Sequence, residues 1–410
     1  MILFLSDLHL KDDVRRRTVD GDAVLQTLKS HLNGNDLALH GVPKLVLLGD
    51  IFELLKSDVW FEFDTRPWDE NRELVLDATV EIVGRVIASN QPFFQGLCNL
   101  HDTYRLEIEY LPGNHDALLS IPENSTARAL LRKALPLNGV AGDMFPDQVA
   151  DAKHGVYAEH GHQFDEFNCA TKDNQWFVRG DAVVVDLVTA VARDSARILG
   201  MEPSAGQYDP RLSFLHELEN VRSQTASNLL SWIQHGLQLL PEPERGEVEA
   251  AVTDALQACL VHLNNLFGMC DSSAPARSVF LTALSAALTS GNLSRIKAVA
   301  QMLPVVGDEL RSVESRVRTL AAACDQASMP ILDIFVAGHT HLPLVHPIHV
   351  PENKLVTYLN SGTWHHVQQA SHSTGDTVAF HELYETTVLC VYDIQRLQPR
   401  YALSRVVYGF

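Results

Sequence analysis

The pattern of apolar runs predicts an α/β fold interrupted by a large all-α insertion. Three observations carry this expectation. Over residues 1–165, short apolar runs alternate with segments of helical spacing. Between 166 and 325, strand signals nearly vanish. From 326 to 410 they return. The chain thus reads as a core in two parts, 1–165 and 326–410, with a helical lid or docking subdomain at 166–325.

The elements follow in order. ILFLS is a short apolar run that ends at SDLHL, Ser6–Leu10. VDGDAVLQTLKSHL has helical spacing. PKLVLLGD is a buried strand that stops at Asp50, inside GDIFE, Gly49–Glu53. ELVLDATVEIVGRVIASN is a helix. RLEIEYLPGNHD is a strand that ends in GNHD, Gly113–Asp116. EHGHQFD follows at Glu159–Asp165. Motifs placed where apolar strands end suit a sheet with ligands gathered at one edge. In the insertion, Leu215, Leu218, Leu229, Ile233 and Leu237 mark one amphipathic stripe. Val248, Val252, Ala255, Cys259 and Leu263 mark a second; Leu310, Val313, Val317, Leu320 and Cys324 mark a third. PEPERGE and DSSAPA are helix breaks. PILDIFVAGHTH, LVTYLNSGTW, TTVLCVYDI and PRYALSRVVYGF are strands that complete the sheet, the first carrying GHTH at Gly338–His341.

Composition narrows the class. The chain has 410 residues, 46% hydrophobic and 20% charged, enough for a sizeable core. No apolar stretch approaches the ~20 residues that span a bilayer. Met1–Leu5 is apolar, but Asp7 follows at once and no basic segment precedes it, so it reads as a strand and not a signal peptide. Six cysteines without a CxxC pair suggest reduced thiols and a cytoplasmic protein. The net charge of −19 disfavours a duplex-binding role. It disfavours small phosphorylated substrates less, because bound cations supply a local positive field.

The motifs offer Asp7, His9, Asp50, Asn114, His160, His339 and His341 as ligands. Asp7 and His9 are two apart; on an extended chain both reach one ion. Asp50 is a carboxylate suited to bridging two ions, and Asn114 supplies a neutral oxygen. His339 and His341 serve two ions if the loop turns between them. Carboxylate, amide and imidazole without thiolate favour Mn, with Fe, Zn, Co or Ni as alternatives. Two such ions hold an oxyanion and activate a bridging water for in-line attack, which suits phosphorus esters.

This set resembles the calcineurin-like metallophosphoesterase superfamily, whose pattern runs DxH, GD, GNH(D/E), H, GHxH. The resemblance covers residues 1–165 and 330–365. It implies a β-sandwich flanked by helices and a metal-dependent phosphoric ester hydrolase, a phosphatase or phosphodiesterase. It further implies that Asp7, His9, Asp50 and His341 hold one ion, and Asp50, Asn114, His160 and His339 the other. His115 would act at the leaving group, with Asp116 orienting it. A more distant resemblance is to UDP-2,3-diacylglucosamine pyrophosphatase-like enzymes. Those carry arginine where this chain has His115, and a far smaller insertion.

Further candidates are weaker. His162 competes with His160 as the ligand and is otherwise expected beside the ligands or in the substrate pocket; His154 is expected on the surface or in a loop. Arg15, Arg16 and Arg17 read as a solvated turn more than a phosphate contact. Trp60, Phe61, Phe63 and Trp68 line a pocket mouth or pack under the insertion. Trp364, His365 and His366 are rim candidates. The expected partners are a small phosphorylated substrate and, through the insertion, another protein. The rival readings are a nuclease of the same superfamily and a non-catalytic scaffold.

Overall fold

A computed structural model describes residues 1–13, 19–34, 41–137, 143–165, 168–169, 176–201, 210–221, 226–270, 309–327, 332–364, 366–372, 378–393 and 401–409. Arg15, Arg16, Arg17 and His365 lie outside them. The chain forms two compact units. The first comprises Met1–Val178, Asp308–His366 and Tyr384–Tyr408; the second comprises Arg179–Gly307, Val367–Leu383 and Gly409–Phe410. The class is mixed α/β with two mixed sheets.

The first sheet is built on β1 (Ile2–Leu5), β2 (Lys44–Leu48) and β3 (Glu107–Leu111), which run parallel. Its other strands are β9 (His366–His372), β10 (Val378–Val391) and β11 (Tyr401–Gly409). The order is β11-β10-β1-β2-β3, with β9 paired to β10. The second sheet contains β4 (Gln148–Asp151), β5 (Val156–Glu159), β6 (Ile334–Ala337), β7 (Leu344–Val350) and β8 (Lys354–Asn360), in the order β4-β5-β6-β8-β7. The strand pattern alone suits one sheet. The structure instead distributes the C-terminal strands over two, and this decides from which side each ligand arrives.

Side chains alternate across a strand, so β1, β2 and β3 each feed two cores. Leu3, Leu5, Leu45, Leu47 and Ile108 pack with α1 (Gly21–Leu32), α2 (Arg72–Ser89), α3 (Gln91–Tyr104) and α4 (Ser125–Ala134). Ile2, Phe4, Val46 and Leu48 share a cluster with Val156, Ala158, Ile334, Val336 and Leu359 of the second sheet. Each fully buried Leu or Phe here contributes about 1.5–3 kcal/mol. Asp20 caps α1, its carboxylate accepting from the amides of Asp22 and Ala23 at 3.0 and 3.1 Å, which contributes ~1 kcal/mol.

In the second unit the described helices include α5 (Ala190–Ile198), α6 (Ala226–Leu239) and α7 (Glu244–Cys270). Val248, Val252, Ala255 and Cys259 are buried, as the stripe on α7 predicts. Leu215 and Leu218 sit in short segments before α6, so that first stripe spans several elements. The last helix, α8 (Glu309–Ala327), lies in the first unit. Its Val313 and Val317 are buried with Phe335 and Tyr358 of the second sheet, while Leu310 is exposed. No described helix is long and apolar enough to cross a membrane.

Candidate metal centre

Each motif begins where a parallel strand ends. Asp7 follows β1, Asp50 follows β2, Asn114 follows β3, His160 follows β5 and His339 follows β6. The loops after β1 and β2 are bonded together, His9 N to Asp50 O at 2.9 Å and Leu10 N to Ile51 O at 2.9 Å. Asp7, His9 and Asp50 have φ of 55°, 45° and 53°; His339 and His341 have 69° and 58°. Left-handed backbone at a non-glycine residue costs about 1–3 kcal/mol and persists where the surroundings enforce it. The i, i+2 spacing of Asp7 and His9 therefore does not work through an extended chain. A sharply turned loop aims both side chains instead.

Asp7, His9, Asp50, Asn114 and His160 are buried, Asp7 and His160 completely, while His339 and His341 are only partly buried. Two corners emerge. In one, the ligand atoms of Asp7, His9 and His341 lie within 4.8 Å of one another; in the other, so do those of Asp50, His160 and His339. A third grouping of His9, Asp50 and His115 joins them. His341 Nε2 is 3.3 Å from Asp7 Oδ1, and His160 Nε2 is 3.2 Å from Asp50 Oδ2. Asp50 Oδ2 is also 3.9 Å from His9 Nε2. Asn114 Oδ1 is 3.0 Å from His339 Nδ1. All seven sequence candidates thus converge. His162 packs beside His160, with ring centroids 5.4 Å apart, and enters neither corner.

Hydrogen bonds fix which nitrogen faces inward. His160 Nδ1 is 2.8 Å from the carbonyl of Leu48, which only accepts. Its Nε2 is then bare when the ring is neutral, and it is a buried nitrogen with no hydrogen-bond partner. His9 Nδ1 is 3.0 Å from Glu53 Oε2, which leaves its Nε2 facing His341 Nε2 at 3.1 Å. A cation placed among these nitrogens and the Asp7 and Asp50 carboxylates would take them as ligands. Carboxylate- or carbonyl-backed imidazoles of this kind are how proteins present metal ligands. The donor set therefore fits divalent metal ions.

Without a bound cation the charges around His160 favour a proton on its Nε2, which faces Asp50 Oδ2. Burial lowers the His160 pKa, but the Asp50 carboxylate more than reverses this and pushes it up to about 10. His9 and His162, both lowered first by burial, fall to about 4 and about 3; the positive neighbours are His115 for the former, His160 and His339 for the latter. Glu53 is raised by burial but drawn well below the usual range by His115 and Lys56.

Glu53 is the main residue that motif reading passes over. It is buried, and its two oxygens hold His9 Nδ1, His115 Nδ1 at 2.8 Å and Lys56 Nζ at 3.1 Å. Its only sequence signal is a carboxylate inside the apolar run after Asp50. Glu53, and not Asp116, orients the His115 ring. Asp116 accepts from the amides of Gly113 at 2.5 Å, Ile51 at 3.0 Å, and Asp50 and Phe52 at 3.3 Å, and from the Tyr110 hydroxyl at 2.5 Å. Its place is under the loop that presents Asp50. The His115 amide in turn donates to Asp50 Oδ1 at 2.8 Å.

Other expectations are corrected. Trp364 is a core residue whose indole donates to the Thr387 carbonyl at 2.5 Å, and His366 is buried against Tyr384. The preceding residues brace the loops: Thr363 Oγ1 donates to Asp7 O at 2.9 Å and Asn360 Nδ2 to Gly338 O at 2.7 Å. Trp60 is buried, its indole donating to Leu54 O at 2.8 Å, and Phe61 and Phe63 pack against the same core. Trp68 packs on Phe177, in the segment read as the start of the insertion, as one of its two readings has it. His154 does lie in the turn between β4 and β5, but it is buried there, bonded to Asp151 at 2.9 Å and to the Met1 amine at 3.4 Å.

A scan against protein-family models and a search of curated proteins both returned no match.

Proposed function

We propose that the chain is a binuclear metal-dependent phosphoesterase of the calcineurin-like metallophosphoesterase superfamily. The carrying observation is a pair of His/Asp corners next to one carboxylate, Asp50, each with its ligand atoms within 4.8 Å of one another. The two sheets that share an apolar cluster are what that superfamily's β-sandwich calls for. Asp7, His9, Asp50 and His341 would hold one ion; Asp50, Asn114, His160 and His339 the other. Mn, Fe, Zn, Co and Ni are all compatible with this oxygen and imidazole set, and Mn is the ion proposed first. Two bound ions supply Lewis acidity toward phosphoryl oxygens and a water activated at neutral pH.

The chain's own groups supply the rest. Glu53 fixes the His115 ring by its Nδ1, so Nε2 is the atom that carries a proton toward a leaving oxygen. The side chain is 12% exposed, buried enough to hold its orientation and open enough to meet substrate. Burial lowers the His115 pKa, and the Glu53 and Asp50 charges outweigh that and raise it, which favours the acid form. The substrate class is a small phosphomonoester, phosphodiester or pyrophosphate. A polyanionic duplex suits a chain of net charge −19 poorly.

Two measurements test this. Metal analysis of Mn-reconstituted protein should approach two ions per chain, with hydrolysis of bis-p-nitrophenyl phosphate that chelation abolishes. In His115→Ala, turnover of esters with poor leaving groups should fall about 10²–10⁴-fold. The loss should be smaller for p-nitrophenyl esters, whose leaving group departs without a proton. Protein that takes up no metal under saturating Mn sinks the proposal, and an equal loss on both ester types removes the acid role of His115.

A further inference from the structure

Beyond the seven ligands, the second corner has an anchor outside the residues to which the motifs assign a role. Asp165 Oδ2 is 3.2 Å from His339 Nε2. A carboxylate only accepts, so His339 donates from Nε2 and, when the ring is neutral, its Nδ1 carries no proton. That bare nitrogen is 3.0 Å from Asn114 Oδ1, another acceptor. A cation at this point would take both the Nδ1 of the neutral ring and the amide oxygen as ligands.

Asp165 is itself held. Asn168 Nδ2 donates to the same Oδ2 at 2.6 Å. The amides of Asn168 and Cys169 donate to the Asp165 carbonyl at 3.0 and 2.8 Å, which closes a single turn. Across that turn, Asn168 Oδ1 faces Asn114 Nδ2 at 3.5 Å, the orientation that leaves Asn114 Oδ1 turned toward His339. One short turn thus sets the tautomer of one ligand and the amide orientation of another. The first corner shows no such dependence, because His9 is set by Glu53.

We propose that Asp165 and Asn168 are the positioning residues of the second metal ion. Asp165 fixes the His339 ring, and Asn168 fixes both Asp165 and the Asn114 amide. This rests on the two-ion reading and adds to it which groups govern occupancy of one of the two positions. Loss of such a supporting partner typically costs about 10–100-fold in metal affinity. The loss should fall on the second ion and spare the first.

The test is Mn(II) titration of metal-free full-length protein, read by equilibrium dialysis and electron paramagnetic resonance. Wild type should bind two ions and show the exchange-coupled spectrum of a metal pair. Asp165→Ala should retain one ion at wild-type affinity and bind the other about 10–100-fold more weakly. At one to two equivalents its spectrum should be that of isolated Mn(II). Asp165→Asn keeps an acceptor oxygen for the ring and should recover much of the second affinity. Asn168→Ala should show the same selective loss to a smaller degree, and it carries the test if Asp165→Ala does not fold. Wild type that binds fewer than two ions overturns the two-ion reading itself. Wild type that binds two, with variants that bind both unchanged or lose both equally, overturns the positioning assignment alone.

Discussion

In the corner of Asp7, His9 and His341, the ring of His9 is set by a fully buried carboxylate, Glu53, which also carries His115 and Lys56. In the corner of Asp50, His160 and His339, the anchors are the main-chain carbonyl of Leu48 and the more exposed Asp165. The same ligand types are thus held in two ways. The first corner is a charge network tied to the group proposed to act on the leaving oxygen. The second depends on backbone geometry between the sheets and on one short turn. The difference teaches that the ions should respond separately to substitutions around them, although Asp50 lies next to both.

The strongest way to break this asymmetry is Asp50→Ala. Both corners lose a ligand, so turnover of bis-p-nitrophenyl phosphate should fall by about 10³-fold, and neither Mn should bind with wild-type affinity. Near-normal activity with two bound ions would refute the bridging role. Glu53→Gln should be next and one-sided. The first ion should weaken about 10–100-fold while the second stays, and the leaving-group dependence attributed to His115 should flatten. If the second ion is lost instead, the assignment of anchors is reversed.

Gly49→Ala probes the second corner through the backbone. Gly49 has φ of +83°, and a Cβ there would lie 2.3 Å from His160 Nδ1. The variant should lose about 1–3 kcal/mol in denaturant unfolding and weaken the ion held by His160. Gly84→Ala is its control. That glycine lies within α2 and has nothing within 4 Å of a built Cβ, so the change should stabilise by about 0.5–1 kcal/mol. Equal effects of the two would show that Gly49 is not constrained by His160.

The smallest effect lies away from both corners. Hydrogen bonds from His154 draw the Asp151 pKa down to about 2 from its ordinary 3.8. A depressed carboxylate stabilises the fold above its unfolded pKa, and this is lost as pH falls through the folded value. Asp151→Asn should therefore lower Tm modestly at pH 6, and the difference from wild type should shrink between pH 4 and about pH 2. A difference that grows on acidification would contradict this sign.

Much of the site is legible in the sequence because its ligands stand directly after apolar strands. Asp7, Asp50 and His339 announce themselves by that placement. Their supports do not. Glu53 and Asp165 are ordinary acidic residues until packing brings His9, His115 and His339 to them. The burial of His154 and Trp364 is likewise set by partners, the Met1 amine and the Thr387 carbonyl, far away in sequence. The helix in α8 is legible from its stripe, but not that the stripe is buried with the second sheet. The turned backbone at Asp7 and His9 also has no sequence mark, since neither residue is a glycine.

Gly49 and Gly113 lie where the ring of His160 and the carboxylate of Asp50 fill the room a side chain would take. The ligands therefore interlock across the two sheets, and the centre closes only once the sheets are seated. During synthesis Asp7, His9, Asp50, Asn114 and His160 emerge early. His339, His341 and the strands β6, β8 and β10 emerge only after the main segment of the second unit. A nascent chain must then shelter two carboxylates, Asp7 and Asp50, without the histidines that complete their corners. On the two-ion reading, ion capture would then be a closing event of assembly.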